Sequence, residues 1–402
     1  MPPPPPPLEC ALAPDSTGLA APQESVLATF RYVHAVQNPP RSDACSSRLR
    51  RVGPSWHGMG FAASMQMMAH EFMNAASAVA QQPVAALSTQ GWAYGCSESG
   101  GDWACFEPLS PCGEAERAAA PPAAFEGGPG DALPAGAPSP PANLNGPRWW
   151  ALMQAYVFTL SAEQRARIRC LHAALGLTFP CADGERRRGQ LAARLGAPLD
   201  AAAEARAAAH APCVAAADDA AASLFPRDAG CLSVGMHVRL GDRRVHDSRL
   251  HGLDEYVAAV AALGRRGLRL CTAVVASDDE EVLGGARAML SAVMPEGARV
   301  VILPTRVARP DATAVMADWL SRQPVGVRRN ATEDIVDIIA TLSETNVFIG
   351  ICMSQVARTI AALQYVYGVA AHAPIGVDTK ECLEFVGHSP AIEEGWVSLD
   401  AL

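Results

Sequence analysis

The stretch SVGMHVRLGDRRVHDSRLH, at residues 233–251, joins a short apolar run to a dense cluster of charged side chains. Two further apolar runs also end in polar groups, SDDE at 277–280 and CMSQ at 352–355, where a helical pattern begins. An arginine such as Arg239, facing a helix N-terminus with free backbone N–H groups and a serine hydroxyl, is well suited to bind a pyrophosphate. These residue types therefore predict a site for a phosphorylated ligand.

No glycine-rich phosphate loop accompanies these charges. The sequence contains neither G-x-G-x-x-G nor G-x-x-x-x-G-K-[ST], so a nucleotide would be held without such a loop. The alternative interpretation is a solvated ion-pair network at a sheet edge, because Asp242, Arg243 and the acidic residues 278–280 are also ordinary charges at helix starts. The residues alone leave both interpretations open.

The elements around these segments alternate between strand and helix. Apolar strand-like runs at 231–240, 268–277, 298–304 and 346–351 are separated by helical patterns. Such alternation predicts an α/β fold with a doubly wound parallel sheet and helices on both faces, in which ligands bind beyond the carboxyl ends of the strands. The charged segments fall at such ends.

Composition divides the 402 residues into regions. Residues 1–25 are rich in Pro and Ala and are predicted to be disordered. Residues 26–223 are predicted to form an N-terminal domain with a low-complexity insertion at 114–147, and residues 224–402 a C-terminal Rossmann-like domain. The length and the hydrophobic content of 50% allow a sizeable core.

Two shorter patterns each have two interpretations. The segment GFAASMQMMAHEFMNAASAVA places Met and aromatic residues at helical spacing, which predicts core packing rather than contact with a cofactor. Asn330-Ala331-Thr332 matches a glycosylation acceptor, but Asn330 with Glu333 three residues on also fits a helix cap, and we favour the cap.

The charge balance bears on the partners. The chain carries 32 Lys and Arg against 41 Asp and Glu, a formal net charge of −9. A general nucleic-acid or anionic-membrane binder needs a basic surface, so the composition argues against both. After MPPPPPPLEC, no apolar stretch has the length of a signal peptide or a membrane span. We expect no membrane segment in this chain, which would be cytoplasmic or would be lumenal with an anchor outside the sequence given.

Cysteine usage gives a second indication of the compartment. The chain has 12 cysteines but no C-x-x-C pair, so zinc is not expected. Cys96, Cys105 and Cys112 lie in a loop-like stretch that disulfides can link in an oxidising lumen, with buried free thiols as the alternative. The cysteines in or beside strand-like runs are expected in the core: Cys231, Cys271 and Cys352.

The charged segments resemble, in order, the signatures of a known family. GMHVRLGDRRVHDSRLHGLDEY is similar to the first signature of glycosyltransferase family 23, the core α1,6-fucosyltransferases, which reads roughly G-V-H-V-R-R-T-D-K before an acidic residue, a histidine and E-Y. VVASDDEEVL resembles the family's A-T-D-D segment, and DIIATLSETNVFIGICMSQVAR its D-I-H-F-L-S through S-S-Q-V-C-R segment. With upstream segments such as QNPPRSDAC and RWWALMQAYVF, the resemblance spans roughly residues 36–368.

The resemblance implies a GT-B fold, in which two facing Rossmann-like domains bind the acceptor on the N-terminal side and GDP-fucose on the C-terminal side. It places His237 at the guanine side of the donor, Arg239 at the β-phosphate and Ser354 near the phosphates. The further donor-binding residues that it implies are Asp242, Arg243, Asp278, Asp279, Asp337 and Gln355.

The implied reaction is an inverting transfer of L-fucose from GDP-fucose to the 6-hydroxyl of a GlcNAc residue in an N-glycan or related oligosaccharide, in the Golgi lumen. A single displacement needs a base for the acceptor hydroxyl and positive charge for the departing GDP. Asp247 falls on the family's glutamate and is the candidate base, with Arg239 as the catalytic cation. No metal or other cofactor is expected, and the sequence does not indicate the oligomeric state.

Two alternatives remain at this point. Leu240 stands where the family has a second arginine, and Asp247 is one methylene shorter than the family's glutamate. These differences fit a pseudoenzyme that binds a GDP-sugar without transfer. An Ala-rich scaffold without a ligand is the third interpretation.

Overall fold

The computed structural model describes part of the chain. The described residues are 23–37, 49–52, 60–77, 84–87, 93–95, 105–106, 112, 119–120, 147–177, 231–240, 251–307, 316–367, 369–370, 372–378 and 396–399.

The described N-terminal half is mainly helical, with one short two-stranded parallel sheet formed by β1 and β2. Its elements are α1 (Gln23–Gln37), β1 (Leu49–Val52), α2 (Phe61–Ser77), β2 (Val84–Leu87), α3 (Pro147–Val157) and α4 (Ala162–Ala174).

The C-terminal half contains a six-stranded, all-parallel sheet of order β5-β4-β3-β6-β7-β8. Its elements are β3 (Leu232–Val238), α5 (Leu253–Arg265), β4 (Leu270–Ser277), α6 (Glu280–Ser291), β5 (Arg299–Ile302), α7 (Met316–Ser321), α8 (Val325–Leu342), β6 (Val347–Gly350), α9 (Gln355–Tyr367), β7 (Ile375–Gly376) and β8 (Val397–Ser398). The predicted α/β fold and parallel sheet are confirmed.

Helices cover both faces of this sheet. Neighbouring residues of β4 point to opposite faces: Val275 packs with α5 and α6 in one hydrophobic cluster, whereas Val274 packs with α8 and α9 in another. The strand order starts at β3, runs outward to β5, returns to β6 beside β3 and continues in the opposite direction. This reversal makes the gap between β3 and β6 the topological switch point, where open α/β sheets bind ligands.

Local sequence explains why the elements beside the switch point form. The helix α5 buries large side chains that recur at helical spacing, Leu253, Tyr256, Val257, Val260 and Leu263, and exposes the opposite side of the helix at Asp254 and Ala258. The strand β3 is buried along nearly its whole length, as expected for a central strand of a parallel sheet.

The N-terminal helices pack against the sheet's own helices rather than forming a separate core. One hydrophobic cluster contains Phe72 of α2 and Met153 of α3 together with Ile339 of α8 and Ile360 of α9. The predicted core role of the Met-rich helix is confirmed, because Met65, Met68 and Phe72 of α2 are all buried in this cluster.

Two sequence predictions are corrected by the structure. Asn330 does not cap a helix: α8 begins five residues earlier, at Val325, with Pro324 as its N-cap. The helix extends upstream because the backbone N–H groups of Val327 and Arg328 donate to the carbonyl oxygen of Pro324, at 3.0 and 3.1 Å, and the following residues continue the helical pattern. The side chain of Glu333 binds Arg306 and Arg329 instead of the backbone at Asn330.

The second correction concerns the cysteines. Cys231 and Cys271, which we expected in the core, are partly exposed and form a disulfide that joins the residue before β3 to β4. Cys352 is buried as predicted, but it is also disulfide-bonded. None of the cysteines in the described residues is free, and the remaining bonded ones are Cys105, Cys112 and Cys170.

None of the helices in the described ranges combines the length and the apolar character that crossing a membrane requires.

Candidate functional site

The candidate site lies where the carboxyl ends of β3 and β6 adjoin, at the topological switch point. The two strands pair in register up to Met236 and Ile349, so the residues that follow them emerge side by side. His237 and Arg239 follow on the β3 side, and Ser354 and Gln355 follow on the β6 side. The structure therefore brings these four predicted residues to one edge of the sheet.

The end of β3 is held by contacts from two neighbouring elements. The hydroxyl of Tyr256 on α5 donates a hydrogen bond of 3.1 Å to the carbonyl oxygen of His237. The backbone N–H of Leu240 donates to Oδ1 of Asp278, at 3.1 Å, across the end of β4. These bonds fix the backbone on both sides of Arg239, a partly buried residue at the mouth of the gap.

The two predicted aspartates after β4 bind backbone groups. Asp278 accepts the Leu240 bond, and Asp279 caps α6 by accepting from the backbone N–H groups of Glu281 and Val282, at 2.9 and 3.2 Å. An N-cap carboxylate of this kind typically contributes about 1 kcal/mol to helix stability. In the structure, these carboxylates order the loop beside the gap.

The start of α9 offers donors for an anion. Ser354 is 1% exposed, and its Oγ makes no hydrogen bond to any other described residue. Gln355 Oε1 is likewise buried and without a hydrogen bond in this part of the chain. The first-turn N–H groups of a helix have no acceptor within the helix, and its dipole places partial positive charge there. A serine hydroxyl beside such a helix start is a recurrent phosphate-binding arrangement.

Two residues that sequence reasoning missed hold the loop between β6 and α9. Asp378, buried after β7, accepts hydrogen bonds from the backbone N–H groups of Cys352 and Met353, at 2.5 and 3.0 Å. Nε of Arg358 donates to the carbonyl oxygen of Cys352 at 2.7 Å. Arg358 lies one helical turn after Ser354, a spacing that was visible in the sequence, whereas nothing local indicated Asp378.

The N-terminal half contacts the start of α9 directly. Nε2 of Gln66 on α2 donates to the carbonyl oxygen of Gln355 at 3.1 Å. Further along, the backbone N–H of Gly95 donates to Oγ1 of Thr332 on α8 at 3.0 Å. The gap beyond β3 and β6 is therefore bordered by α2 as well as by the sheet.

Asp337 belongs to an ion-pair cluster with buried carboxylates, between α4, α8 and the segment after β5. Its Oδ2 binds Nη1 of Arg167 at 2.7 Å and Nη2 of Arg306 at 3.2 Å. Burial raises the pKa of Asp337, and the two arginines counteract that rise only in part. In the structure, the carboxylate of Asp337 is therefore engaged by two arginines.

This whole cluster, which we call the Arg306 cluster, also fixes the segment after β5. Nε of Arg306 lies 2.6 Å from Oδ1 of Asp334, and its Nη1 lies 2.7 Å from Oε2 of Glu333. The backbone N–H of Arg306 also donates to Asp334, at 2.7 Å. Burial would lower the pKa of Arg306, but the hydrogen bond and charge of Asp334, together with Asp337 and Glu333, raise it. The Arg306 cluster comprises Arg167, Arg306, Arg329, Glu333, Asp334 and Asp337.

Three predicted residues, Asp242, Arg243 and Asp247, lie outside the described residues, in the stretch 241–250. The described chain resumes at His251, whose Nδ1 lies 2.9 Å from Oε2 of Glu255 at the start of α5. Across the described ranges, no group of three or more His, Cys, Asp or Glu side chains is placed to hold a metal ion.

Comparison with models of known protein families gives no match. Comparison with curated proteins gives no significant match either. The function must therefore be argued from the site, which combines a strand-end arginine, a buried serine hydroxyl and a helix N-terminus, and this combination is suited to bind a phosphorylated ligand.

Proposed function

We propose that this protein is a glycosyltransferase that uses GDP-fucose as its donor. The observation that carries the proposal is the convergence of Arg239 after β3 with Ser354 at the start of α9, on opposite sides of the switch point. An arginine fork and a helix N-terminus complement the negative charge of a diphosphate. The resemblance to family 23 indicates that the nucleoside of this diphosphate is guanosine and that the transferred sugar is fucose.

The proposal includes a GT-B arrangement, with the N-terminal half covering the donor site and contributing the acceptor side. The bond from Gln66 to the carbonyl of Gln355 supports it, because it puts α2 against the edge where the donor would lie. An acceptor bound on this side would meet the donor in the gap.

In the proposed reaction, Asp247 takes the proton from the 6-hydroxyl of a GlcNAc residue in an N-glycan or related oligosaccharide. The hydroxyl oxygen then bonds to the anomeric carbon of fucose while the bond from that carbon to the β-phosphate oxygen breaks. GDP leaves with the electron pair, and the configuration at the anomeric carbon is inverted. Arg239 and the start of α9 stabilise the charge that develops on the departing phosphate.

Disulfide bonding supports a lumenal location for this activity. Every cysteine in the described residues is disulfide-bonded, and such bonds persist in oxidising compartments. A Golgi enzyme acting on N-glycans works in such a compartment, so the proposed location and the disulfides agree.

A second candidate, a GDP-sugar-binding pseudoenzyme, is favoured by one specific observation. Leu240 occupies the position of the family's second arginine, is only 8% exposed, and packs in the cluster that includes Val238 and Tyr256. The site therefore lacks a cation at this position. This candidate binds GDP-fucose without transferring the sugar.

Calorimetric titration of the purified chain with GDP tests the site. We expect Arg239→Ala to weaken GDP binding by about 10–100-fold, the cost of losing charge-assisted hydrogen bonds. Arg287→Ala, which removes an exposed arginine from α6, is the matched control and should leave binding unchanged. Equal GDP affinity of wild type and Arg239→Ala would show that the site is wrong.

A transfer assay with GDP-fucose and a chitobiose-type acceptor separates the two candidates. Turnover by the wild type supports the transferase and excludes the pseudoenzyme. GDP binding without turnover, with transfer gained in the double variant Asp247→Glu, Leu240→Arg, supports the pseudoenzyme. If the wild type neither binds GDP nor transfers fucose, both candidate functions are refuted.

A further inference from the structure

Arg358 is a partly buried arginine close to the candidate site, and it has no ion-pair partner among the described residues. It lies in the first turns of α9, and its backbone N–H donates to the carbonyl oxygen of Ser354 at 3.0 Å. None of the described carboxylates forms a salt bridge with its guanidinium, in contrast to the arginines of the Arg306 cluster. A half-buried positive charge without a paired carboxylate destabilises the fold, and a bound anion would remove that cost.

The hydrogen bonds of Arg358 fix one edge of its guanidinium and leave the other available. Nε donates to the carbonyl oxygen of Cys352 at 2.7 Å, and Nη2 lies 3.8 Å from the sulfur of Met353, a weak contact. In the described part of the chain Nη1 has no acceptor. The outer pair of N–H groups of an arginine fork, held in place at Nε, has the geometry that binds two phosphate oxygens.

The charge of Asp378 compensates that of Arg358 in part, but backbone groups engage the carboxylate oxygens of Asp378. One carboxylate oxygen accepts from the N–H of Cys352 and the other from the N–H of Met353. Burial lowers the pKa of Arg358, and the charge of Asp378 opposes that effect without outweighing it. An anion would therefore find positive potential at Arg358.

The same loop holds the buried hydroxyl of Ser354, which has no hydrogen-bond partner among the described residues. Ser354 immediately precedes α9 and Arg358 lies four residues later, about one helical turn along the chain, so the two residues are neighbours at the start of the helix. Leu240, across the switch point, supplies no charge. Arg358, on the opposite side of the gap, can supply the positive charge that is missing at position 240.

We propose that Arg358 is a second phosphate-binding arginine of this site, which binds the terminal phosphate of a diphosphate ligand together with Ser354. The inference rests on the proposed function for the nucleoside and sugar, but the binding of a diphosphate group needs only the loop and α9. Arg239 approaches the ligand from β3 and Arg358 from α9, so the two guanidinium groups would flank it.

The test compares ligands that differ by one phosphate. Dissociation constants of GDP, ADP, GMP and inorganic pyrophosphate are measured by calorimetry for wild type, Arg358→Ala and Arg358→Lys, with Arg287→Ala as the exposed control. We expect Arg358→Ala to weaken GDP and pyrophosphate by about 10–100-fold and GMP by less than about 3-fold. Arg358→Lys keeps the charge but loses the fork, and its GDP affinity should lie between the two.

Equal weakening of GDP and GMP in Arg358→Ala would overturn the inference, because it would mean that Arg358 only holds the loop. Unchanged GDP affinity in that variant, with weaker binding in Arg239→Ala, would overturn it while leaving the proposed function intact. Binding of pyrophosphate that depends on Arg358, without preference for GDP over ADP, would support the inference and refute the guanine-specific function. Binding of none of the probes by the wild type would refute both.

Discussion

At the scale of single residues, the proposed chemistry divides between groups that bind and one group that reacts. Arg239, Ser354 and Arg358 would bind the diphosphate, whereas Asp247 would remove the acceptor proton. A base acts only in the transfer step, so its loss should leave donor binding intact. The effects of a substitution on donor binding and on the transfer rate can be measured separately.

We expect Asp247→Asn to lower the rate of fucose transfer by about 10²–10⁴-fold, the usual contribution of a general base. Asparagine has nearly the same shape but cannot accept the proton at neutral pH. Steady-state rates with a chitobiose-type acceptor give the effect, and the GDP dissociation constant of the variant serves as the control. Transfer at the wild-type rate would exclude Asp247 as the base.

The Arg306 cluster gives a residue-scale prediction for stability against pH. Burial would raise the pKa of Glu333, but Arg167, Arg329 and Arg306 outweigh burial and lower it. A carboxyl whose pKa is lower in the folded state stabilises the fold above its unfolded pKa of about 4.3, and this stability disappears as pH falls through the folded value. Glu333 should thus stabilise the fold at pH 7 and lose that effect in acid.

The measurement is urea unfolding of wild type and Glu333→Gln at several values of pH. At pH 7 the variant should lose about 1–3 kcal/mol of unfolding free energy, because the partly buried arginines around the buried side chain of Glu333 lose a charged acceptor. The difference between the two proteins should shrink toward pH 3. Glu296→Gln, at an exposed position, is the control and should show little change at any pH. A difference independent of pH would contradict the assigned charge interactions.

Which site residues the sequence could predict depended on the distance to their partners along the chain. Asp279 was open to prediction because the N–H groups it caps lie two and three residues ahead. The position of Ser354 followed from the helix that begins after it. The ion pair of Asp337 with Arg167 joins positions 170 residues apart, and no local pattern encodes such a contact.

At the scale of elements, the strands were predictable and one helix start was not. The strands β3, β4 and β6 are buried on both faces, and the sequence of each is therefore a nearly continuous apolar segment that predicts a strand. The predicted start of α8 was wrong because Asn330 and Glu333 match the capping pattern, whereas the helix begins upstream, directly after Pro324. Local cap patterns alone do not decide between two possible starts.

The central position of β3 gives a prediction about its glycine. A Cβ atom added at Gly235 would lie 2.6 Å from Oγ1 of Thr345 and 3.1 Å from its Cγ2, too close for van der Waals contact. Thr345 cannot move easily, because its Oγ1 donates to the carbonyl of Leu342 and accepts from Gln364. Glycine therefore permits the close approach of α8's C-terminal turn to β3.

We expect Gly235→Ala to lower the unfolding free energy by about 1–3 kcal/mol, the typical cost of overpacking a core. The double variant Gly235→Ala, Thr345→Ala lacks the Oγ1 and Cγ2 atoms of Thr345 with which the new methyl group would clash. The losses of unfolding free energy in the two single variants should therefore sum to more than the loss in the double variant. Chemical denaturation of the four proteins in this cycle gives the coupling energy. If the losses of unfolding free energy in the two single variants are strictly additive, the contact between positions 235 and 345 is not the cause of the destabilisation.

At the scale of the whole molecule, the core joins the two halves of the sequence. The hydrophobic cluster on the α8 and α9 face of the sheet includes Phe30, Phe72 and Met153 from the N-terminal helices. Composition suggested a boundary near residue 223, and sequence patterns cannot reveal whether two such regions share a core. The shared cluster implies that the N-terminal helices stabilise the sheet that carries the candidate site.

We therefore expect α3 and β3 to unfold in one cooperative step. Hydrogen exchange followed by mass spectrometry at increasing denaturant should give the same unfolding free energy for both segments. Met153→Ala, a fully buried change in α3, should lower that value by about 2–5 kcal/mol in both, whereas Met289→Ala at an exposed site of α6 should not. Because β3 leads into Arg239, the same Met153→Ala substitution should also make GDP binding fail at a lower temperature. Destabilisation confined to α3, with β3 and GDP binding unaffected, would mean that the two halves fold and function independently.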